Sequence, residues 1–324
     1  MKIFLTGGTG FIGSALTRAL ARRGWQVAVL TRSGASPDSA VMGAKGDVSD
    51  KESMREAMSG AEAVIHNAGW YEIGIPSSLR AKMTAINVQG TANVLSLATE
   101  LKIPKIVHTS TTIAFGDTGG ATVDESFTRS APAITHYEHT KTEAHEIALK
   151  YQQQGSPLII VCPAQVIGVG DHSAFGYFAR LYARRLLPPI IWAPEGAFTY
   201  VHVDDVAEGI ALAVEKGRVG ETYFLGGDAI TIRDLMKVWK RAVGGVPPFI
   251  WLPKPIAVAQ GILIEPLLRL IGVPAFISRE VVEGSYVSYR YSSEKAKREL
   301  GWNPRSAEQA WFDTLRGEKS RMKR

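Results

Sequence analysis

The chain has one cysteine, Cys162, in 324 residues. No intrachain disulfide can form, and a reducing compartment, the cytoplasm, is the expectation. Long hydrophobic runs are missing too. The first residues offer only Ile3-Phe4-Leu5 before Thr6 and a glycine pair, short of the roughly 7–15 apolar residues of a secretory signal core. The most apolar stretch, Ile256 to Val273, is broken by Gln260, Glu265, Pro266 and Arg269, which excludes an integral span but permits contact with a membrane surface. Charge of one sign is scarce: Lys+Arg number 37 against 31 Asp+Glu, and five of those bases fall in the last nine residues (Arg316, Lys319, Arg321, Lys323, Arg324) beside one acid, Glu318. A basic nucleic-acid face is therefore not expected, and residues 316–324 read as a frayed, solvated tail. Repeats, low-complexity tracts and a Gly-x-Ser-x-Gly elbow are missing, which argues against solenoids and serine hydrolases. His136, His139 and His145 have no carboxylate or cysteine partners at ligand spacing, so no metal is expected.

What the chain does have is alternation. Short apolar runs at Lys2–Thr6, Gln26–Thr31, Val41–Lys45, Ala63–His66, Lys105–Thr109 and Pro157–Cys162 read as strands. Between most of them, Gly10–Arg23, Lys51–Met58, Ser77–Leu101 and His136–Gln153 have helical spacing. This is an α/β pattern that predicts a doubly wound parallel sheet. Beyond Gly168 the prolines multiply (Pro188, Pro189, Pro247, Pro248, Pro253, Pro255, Pro266, Pro274) and the elements shorten, as in a smaller C-terminal substrate-binding lobe.

Thr6-Gly7-Gly8-Thr9-Gly10-Phe11-Ile12-Gly13 follows the first strand and opens the first helix. Glycines there allow a tight turn, close backbone approach to a pyrophosphate and helix–strand contact, while the helix N-terminus faces the phosphate charge. A Rossmann-type dinucleotide site is the reading. About 20 residues on, where a carboxylate would hold a ribose 2′-hydroxyl, stand Thr31, Arg32 and Ser33. With no carboxylate to repel a 2′-phosphate and a guanidinium to bind it, NADP(H) is preferred and NAD(H) remains possible. Tyr137 and Lys141 lie four apart on a predicted helix, hence on one face.

The spacing Gly7-x-x-Gly10-x-x-Gly13, with Tyr137-x-x-x-Lys141 after five βα units, resembles the extended short-chain dehydrogenase/reductase family, also called the epimerase/dehydratase family. The resemblance covers nearly the whole chain and implies residues 1–168 as an NADP-binding domain, with a return segment at about 197–225 that opens on Thr199–Ala207. Residues 169–196 and 226–315, closing on Leu300–Pro304, would form the substrate lobe. It further implies that Asp47 and Val48 contact adenine, that Asn67, Ala68 and Gly69 line the ribose and pyrophosphate, and that Pro163 and Val166 pass the nicotinamide. Thr111, five residues before Gly116, is the implied substrate-binding hydroxyl, with Thr109 and Ser110 satisfying backbone; Asn87 matches an asparagine near the active site that acts directly, distorts its helix or holds water. Asp204 and Asp205 would cap the next helix, and Ser77–Leu101 with His136–Gln153 would form a homodimer.

The implied chemistry is hydride exchange with a carbinol or carbonyl carbon, Tyr137 moving the hydroxyl proton, Thr111 fixing the oxygen, and Lys141 holding the nicotinamide ribose and lowering the phenol's pKa. Thr112-Ile113 stands where sugar dehydratases carry Asp-Glu, which disfavours dehydration. Cys162 stands where many members have arginine, and Gln165–Gly168 departs from the Asn-x-Tyr-Gly ending, which weakens a nucleotide-sugar assignment. The expectation is a reductase resembling the dihydroflavonol-reductase-like and 3β-hydroxysteroid-dehydrogenase-like branch, acting on a small apolar or cyclic substrate. Aromatics at Trp70, Tyr71, Phe175, Tyr177, Phe178, Tyr182, Trp192 and Phe198 populate the stretch that would line its pocket, though at helical spacing such residues more often belong to a core. Two alternatives stand: a nucleotide-sugar epimerase with retained NAD, for whose diphosphate Arg180, Arg184 and Arg185 are available, and a non-catalytic nucleotide-sensing module.

Overall fold

Strands whose side chains are buried along their whole length, as at Ala63–His66, Ile106–Thr109 and Leu158–Pro163, need a layer of helices on each face. The computed structural model, which describes residues 1–273 and 275–322, supplies both layers. The first half of the chain runs β1 (Lys2–Thr6), α1 (Phe11–Arg22), β2 (Gln26–Thr31), β3 (Met42–Lys45), α2 (Arg55–Met58), β4 (Ala63–His66), α3 (Ser77–Thr84), α4 (Gly90–Glu100), β5 (Ile106–Thr109), α5 (His136–Gln153) and β6 (Leu158–Pro163). There follow β7 (Gln165–Ile167), α6 (Ala174–Ala183), β8 (Ile190–Trp192), β9 (Ala197–His202), α7 (Val203–Lys216), β10 (Thr222–Leu225), β11 (Ala229–Thr231), α8 (Ile232–Val243) and β12 (Ile250–Leu252). The chain closes with α9 (Lys254–Leu270), α10 (Arg279–Gly284), β13 (Ser288–Tyr289), α11 (Glu294–Leu300) and α12 (Ala307–Arg321).

Seven strands form one parallel sheet in the order β10-β6-β5-β4-β1-β2-β3. The chain moves outward from β1 on one side and from β4 on the other, so the strand order reverses between them. A crevice opens there at the carboxyl ends, the place where such sheets bind ligands. Helices α1 and α7 pack against each other on one face, with Leu16, Leu20, Ile210 and Trp302 in its core. Helices α4 and α5 pack on the other, over Val64, Leu95, Ile106 and Ile160. The second lobe is built on β9, which pairs with β7, β11 and β13, and on a β8–β12 pair.

Every expected strand appears within one residue of its expected bounds. Two expected helices are interrupted: Lys51–Met58 begins as a 3-10 turn at Glu52–Met54, and Ser77–Leu101 contains a π turn at Ala85–Gln89. The basic tail is not frayed through Arg321, because α12 carries Arg316, Lys319 and Arg321 on a helix that packs on α8. Glu318 accepts the Gly170 N–H at 2.6 Å and pins that helix; Lys323 and Arg324 lie outside the described residues, as does Pro274. Among the described residues no helix is long and apolar enough to cross a membrane.

Tyr182 and Trp192 belong to the lobe's core rather than to a pocket for substrate. The sequence left both places open for them, because aromatic residues at helical spacing look the same in a pocket or a core. The centre of that core is Trp311, fully buried, with its ring 5.1 Å from Trp239 and 5.3 Å from Tyr200. Trp311→Ala should lower the unfolding free energy by about 3–5 kcal/mol, measured by urea denaturation; a loss under about 1 kcal/mol would mean that the lobe refills the void.

Candidate active site

One cavity of about 1470 Å³ follows the crevice from β2 to the second lobe. Its wall includes Gly7, Thr9, Gly10, Phe11, Ile12 and Gly13, then Arg32, Asp47 and Val48, then Asn67, Ala68 and Gly69, and further on Thr111, Tyr137, Pro163 and Val166. The glycines are required by space. A Cβ on Gly7, whose φ is +73°, would sit 2.6 Å from the Ala68 nitrogen, and one on Gly13 would strike the Gly7 carbonyl. Helix α1 starts at Gly10 with no side-chain cap and no acid in its first turn, so its free N–H groups and positive dipole end face the cavity. The Asn67 Oδ1 is buried in this wall without a partner. The cradle, the uncapped N-terminus, the orphaned amide oxygen and Arg32 fit a nicotinamide dinucleotide, whose bound form supplies a hydride.

At the β2–β3 end of the cavity, the Asp47 carboxylate accepts from the Ser49 N–H at 2.9 Å and hydroxyl at 2.7 Å. Those bonds, helped by nearby Arg32 and Lys82, hold it below the usual aspartate range. The helix after it is capped by Asp50, which accepts from Glu52 and Ser53.

At the other end Thr111 caps the 3-10 turn Thr112–Phe115, its Oγ accepting from the Ile113 N–H at 3.3 Å and donating to the Pro163 carbonyl at 3.4 Å. Tyr137 enters the cavity from the first turn of α5, where Thr135 accepts the Glu138 N–H at 3.0 Å. Glu138 is buried and ties these two pieces together. Its carboxylate takes Arg129 at 2.7 Å and the Ile134 N–H at 2.8 Å, while Arg129 also donates to the Ile113 and Ala114 carbonyls of the Thr111 turn.

Lys141 lies on the Tyr137 face of α5 but behind the cavity wall, donating to the Thr109 carbonyl at 3.3 Å. Burial pushes its pKa down to about 8. The phenol was expected to be depressed; instead burial raises Tyr137 above the usual tyrosine value, because within the chain alone desolvation is what acts on it. A neutral phenol at pH 7 is suited to donate a proton. Tyr71 packs edge-on against it with centroids 4.9 Å apart.

Asn87 sits in the π turn and does not reach the cavity wall. Its amide grips Trp70 by both backbone groups, accepting the N–H at 2.7 Å and donating to the carbonyl at 3.0 Å, and also donates to Thr140 at 3.0 Å. It is a positioning residue that fixes the Trp70–Tyr71 wall. His66 is packed between Thr6 at 2.8 Å and Thr91 at 3.1 Å, and burial holds its pKa down to about 3.

Other expectations change. Ser110 bonds to His145 Nδ1 at 2.9 Å and the Thr109 hydroxyl is buried without a partner, so neither satisfies backbone. His202, not Asp204 or Asp205, caps α7, and Asp205 pairs with Arg305 instead. The diphosphate anchors are elsewhere: Arg180 bonds the Asp171 carbonyl and pairs with Glu318, Arg185 bonds the Val243 and Gly244 carbonyls, and Arg184 is outside the wall. Among the described residues no cluster of His, Cys, Asp or Glu is arranged to hold a metal. Sequence reasoning missed Lys82, Asp171, His172, Phe276 and Tyr289 in the wall. Only Asp171-His172-Ser173 carried a local signal, an acid two residues before a helix-capping serine.

Arg129→Met strands the buried Glu138 carboxylate and should lower stability by about 3 kcal/mol, measured by chemical denaturation. Glu138→Gln in the same chain should recover part of the loss; no recovery would show that the pair's charge is immaterial.

Comparison with known proteins agrees with this geometry. Residues 3–226 match the model of the NAD dependent epimerase/dehydratase family. Sterol demethylase protein B of Methylococcus capsulatus is 30% identical over 97% of this chain and 97% of its own. The 2-alkyl-3-oxoalkanoate reductase of Stenotrophomonas maltophilia is 30% identical over 94% of this chain and 95% of its own. The crystal structure of gox2253 superposes with a TM-score of 0.82 at 32% identity, covering 98% of each chain. With glycine cradle, sheet order and family model in agreement, the chain belongs to the NAD dependent epimerase/dehydratase family, the extended short-chain dehydrogenases/reductases.

Proposed function

We propose that this protein is an NADP(H)-dependent reductase that transfers a hydride to the carbonyl of a small, apolar or cyclic substrate, with Tyr137 donating the proton. The observation that carries the reading is the composition of the single cavity along its length. A glycine cradle and Arg32 stand at one end, Thr111 and Tyr137 in the middle, and Tyr71, Phe175, Tyr177, Phe178 and Phe276 at the other end. Arg32 and the missing acid at Thr31 support the 2′-phosphate. At the aromatic end the wall's arginine is Arg269, already engaged by Glu265 and the Gly74 carbonyl, so no free guanidinium pair awaits a sugar diphosphate. Two relatives named for sterol and alkyl-oxoalkanoate chemistry support the same substrate class.

In this reading the Thr111 hydroxyl and the Tyr137 phenol meet the substrate oxygen together. Lys141, ammonium below about pH 8, steadies the phenolate left after proton transfer and the cofactor ribose. Glu138, Arg129 and Asn87 hold these groups in place.

Tyr137→Phe should cut NADPH-dependent ketone reduction by roughly 10²–10⁴-fold and leave NADPH affinity intact; a parent protein with no turnover to lose would instead be a nucleotide sensor. Arg32→Ala should weaken NADPH about tenfold and leave NADH unchanged. Near-stoichiometric NAD released from the denatured protein, identified by mass spectrometry, would replace the reductase by an epimerase with retained cofactor.

A further inference from the structure

Helix α9 presents an apolar face to solvent at the rim of the cavity. Ile256, Leu263, Leu267 and Leu270 fall on one stripe and are exposed, Leu270 by 83% and Leu263 by 70%. The opposite side of the helix is packed: Ala257 and Gly261 are buried, and a Cβ on Gly261 would meet the Ser278 backbone at 2.8 Å. The segment leading into α9 exposes Val246 and Phe249, and the turn before β8 exposes Leu186; the two are joined because the Phe249 N–H bonds the Pro189 carbonyl and Arg185 bonds the Gly244 carbonyl. A spread of this kind marks an interaction surface.

Charge identifies what the surface meets. No carboxylate occurs between Asp171 and Glu195 or between Asp234 and Glu265, while these intervals hold Arg180, Arg184, Arg185, Lys237, Lys240, Arg241 and Lys254. Arg184, two residues before Leu186, and Lys240, whose carbonyl accepts the Gly244 N–H, flank the Leu186–Val246–Phe249 turn, are exposed and make no ion pair among the described residues. A second copy docked face to face would bring Arg184 and Lys240 toward their own kind, and the carboxylate of α9, Glu265, is already engaged by Arg269. An anionic bilayer offers apolar depth for the leucines and phenylalanine and negative headgroups for the cations. The last turn of α9 and the segment after it put Arg269, Gly272, Val273 and Phe276 into the cavity wall, so the apolar surface runs into the site.

We propose that the chain docks on anionic membrane surfaces through the exposed face of α9 and the Leu186–Val246–Phe249 turn, and receives its substrate from the lipid phase. The inference rests on the reading of the substrate as apolar. The full chain is floated with vesicles of phosphatidylcholine alone and of phosphatidylcholine mixed equally with phosphatidylglycerol. At low salt it should rise with the mixed vesicles, and Leu263→Asp with Leu267→Asp should reduce the floated fraction about tenfold. Arg184→Glu with Lys240→Glu should abolish the preference for the anionic vesicles. Both variants should retain the parent's NADPH binding, read by tryptophan fluorescence, which reports an intact fold. Docking is overturned if the parent floats with neither vesicle, or if the leucine variant floats as well as the parent. It is likewise overturned if light scattering shows a dimer that the leucine variant dissociates while nothing floats, since the face would then join two copies. Failure of the site reading looks different: flotation persists while the parent neither binds NADPH nor reduces apolar ketones.

Discussion

Glu138 brings a carboxylate into the interior one residue from Tyr137, and the site is organised around satisfying it. A buried carboxylate without partners is strongly unfavourable, so the chain must supply a cation and N–H donors at fixed positions. Arg129 and the Ile134 N–H do so, and Arg129 spends its remaining donors on the turn that starts at Thr111. The phenol and the threonine hydroxyl come from separate elements, a helix and a strand end. One ion pair fixes the distance between them, and any change in its geometry moves both. A polar chain does the same work on the neighbouring strand: Ala68 donates to Thr6, which contacts His66, which contacts Thr91, whose hydroxyl donates to the Asn87 carbonyl. Burial keeps His66 neutral, so this chain does not change with pH in the working range.

Most of the first half was legible in the sequence because it rests on short-range physics. A run such as Leu158–Val161 has one way to bury every side chain, and glycines at 7, 10 and 13 are demanded by local contacts between a strand end and a helix start. Every cofactor-contacting candidate except Lys141 reaches the cavity wall, and Lys141 lies directly behind it. The readings that changed depend on partners distant in sequence. Nothing near Tyr182 or Trp192 distinguishes a pocket from a core made with Trp239 and Trp311. Helix distortion was one of three roles open for Asn87, and the π turn is there; its grip on Trp70, 17 positions away, could not be read from the sequence. Arg129 has no local pattern at all, and its importance appears only with Glu138 beside it.

The cavity divides its chemistry by burial. At its cofactor end polarity is kept in backbone N–H groups and a guanidinium, which bind charge without titrating near neutrality. At its centre the ionisable groups are desolvated in opposite senses: the phenol holds its proton more tightly and the Lys141 ammonium more loosely than in water. Beyond them the wall is aromatic, with Tyr177 stacked on Phe276 at 5.2 Å so that two distant parts of the second lobe share one surface. Asp171, pushed up to about 6 by burial, is the acid at this end whose charge changes close to physiological pH.

The placement of β10 has a consequence for assembly. It is the outermost strand of the parallel sheet, bonded to β6, yet the whole stretch from Ala164 to Glu221 separates the two in the chain. During synthesis β6 therefore stands as an open edge until the chain has been made as far as β10, a strand of wholly buried side chains that invites wrong partners. Closing that edge waits on the chain as far as Leu225, so the seven-stranded sheet is incomplete until β7, β9 and α7 have been made. A chain cut anywhere between β6 and β10 would carry the open edge of β6 permanently.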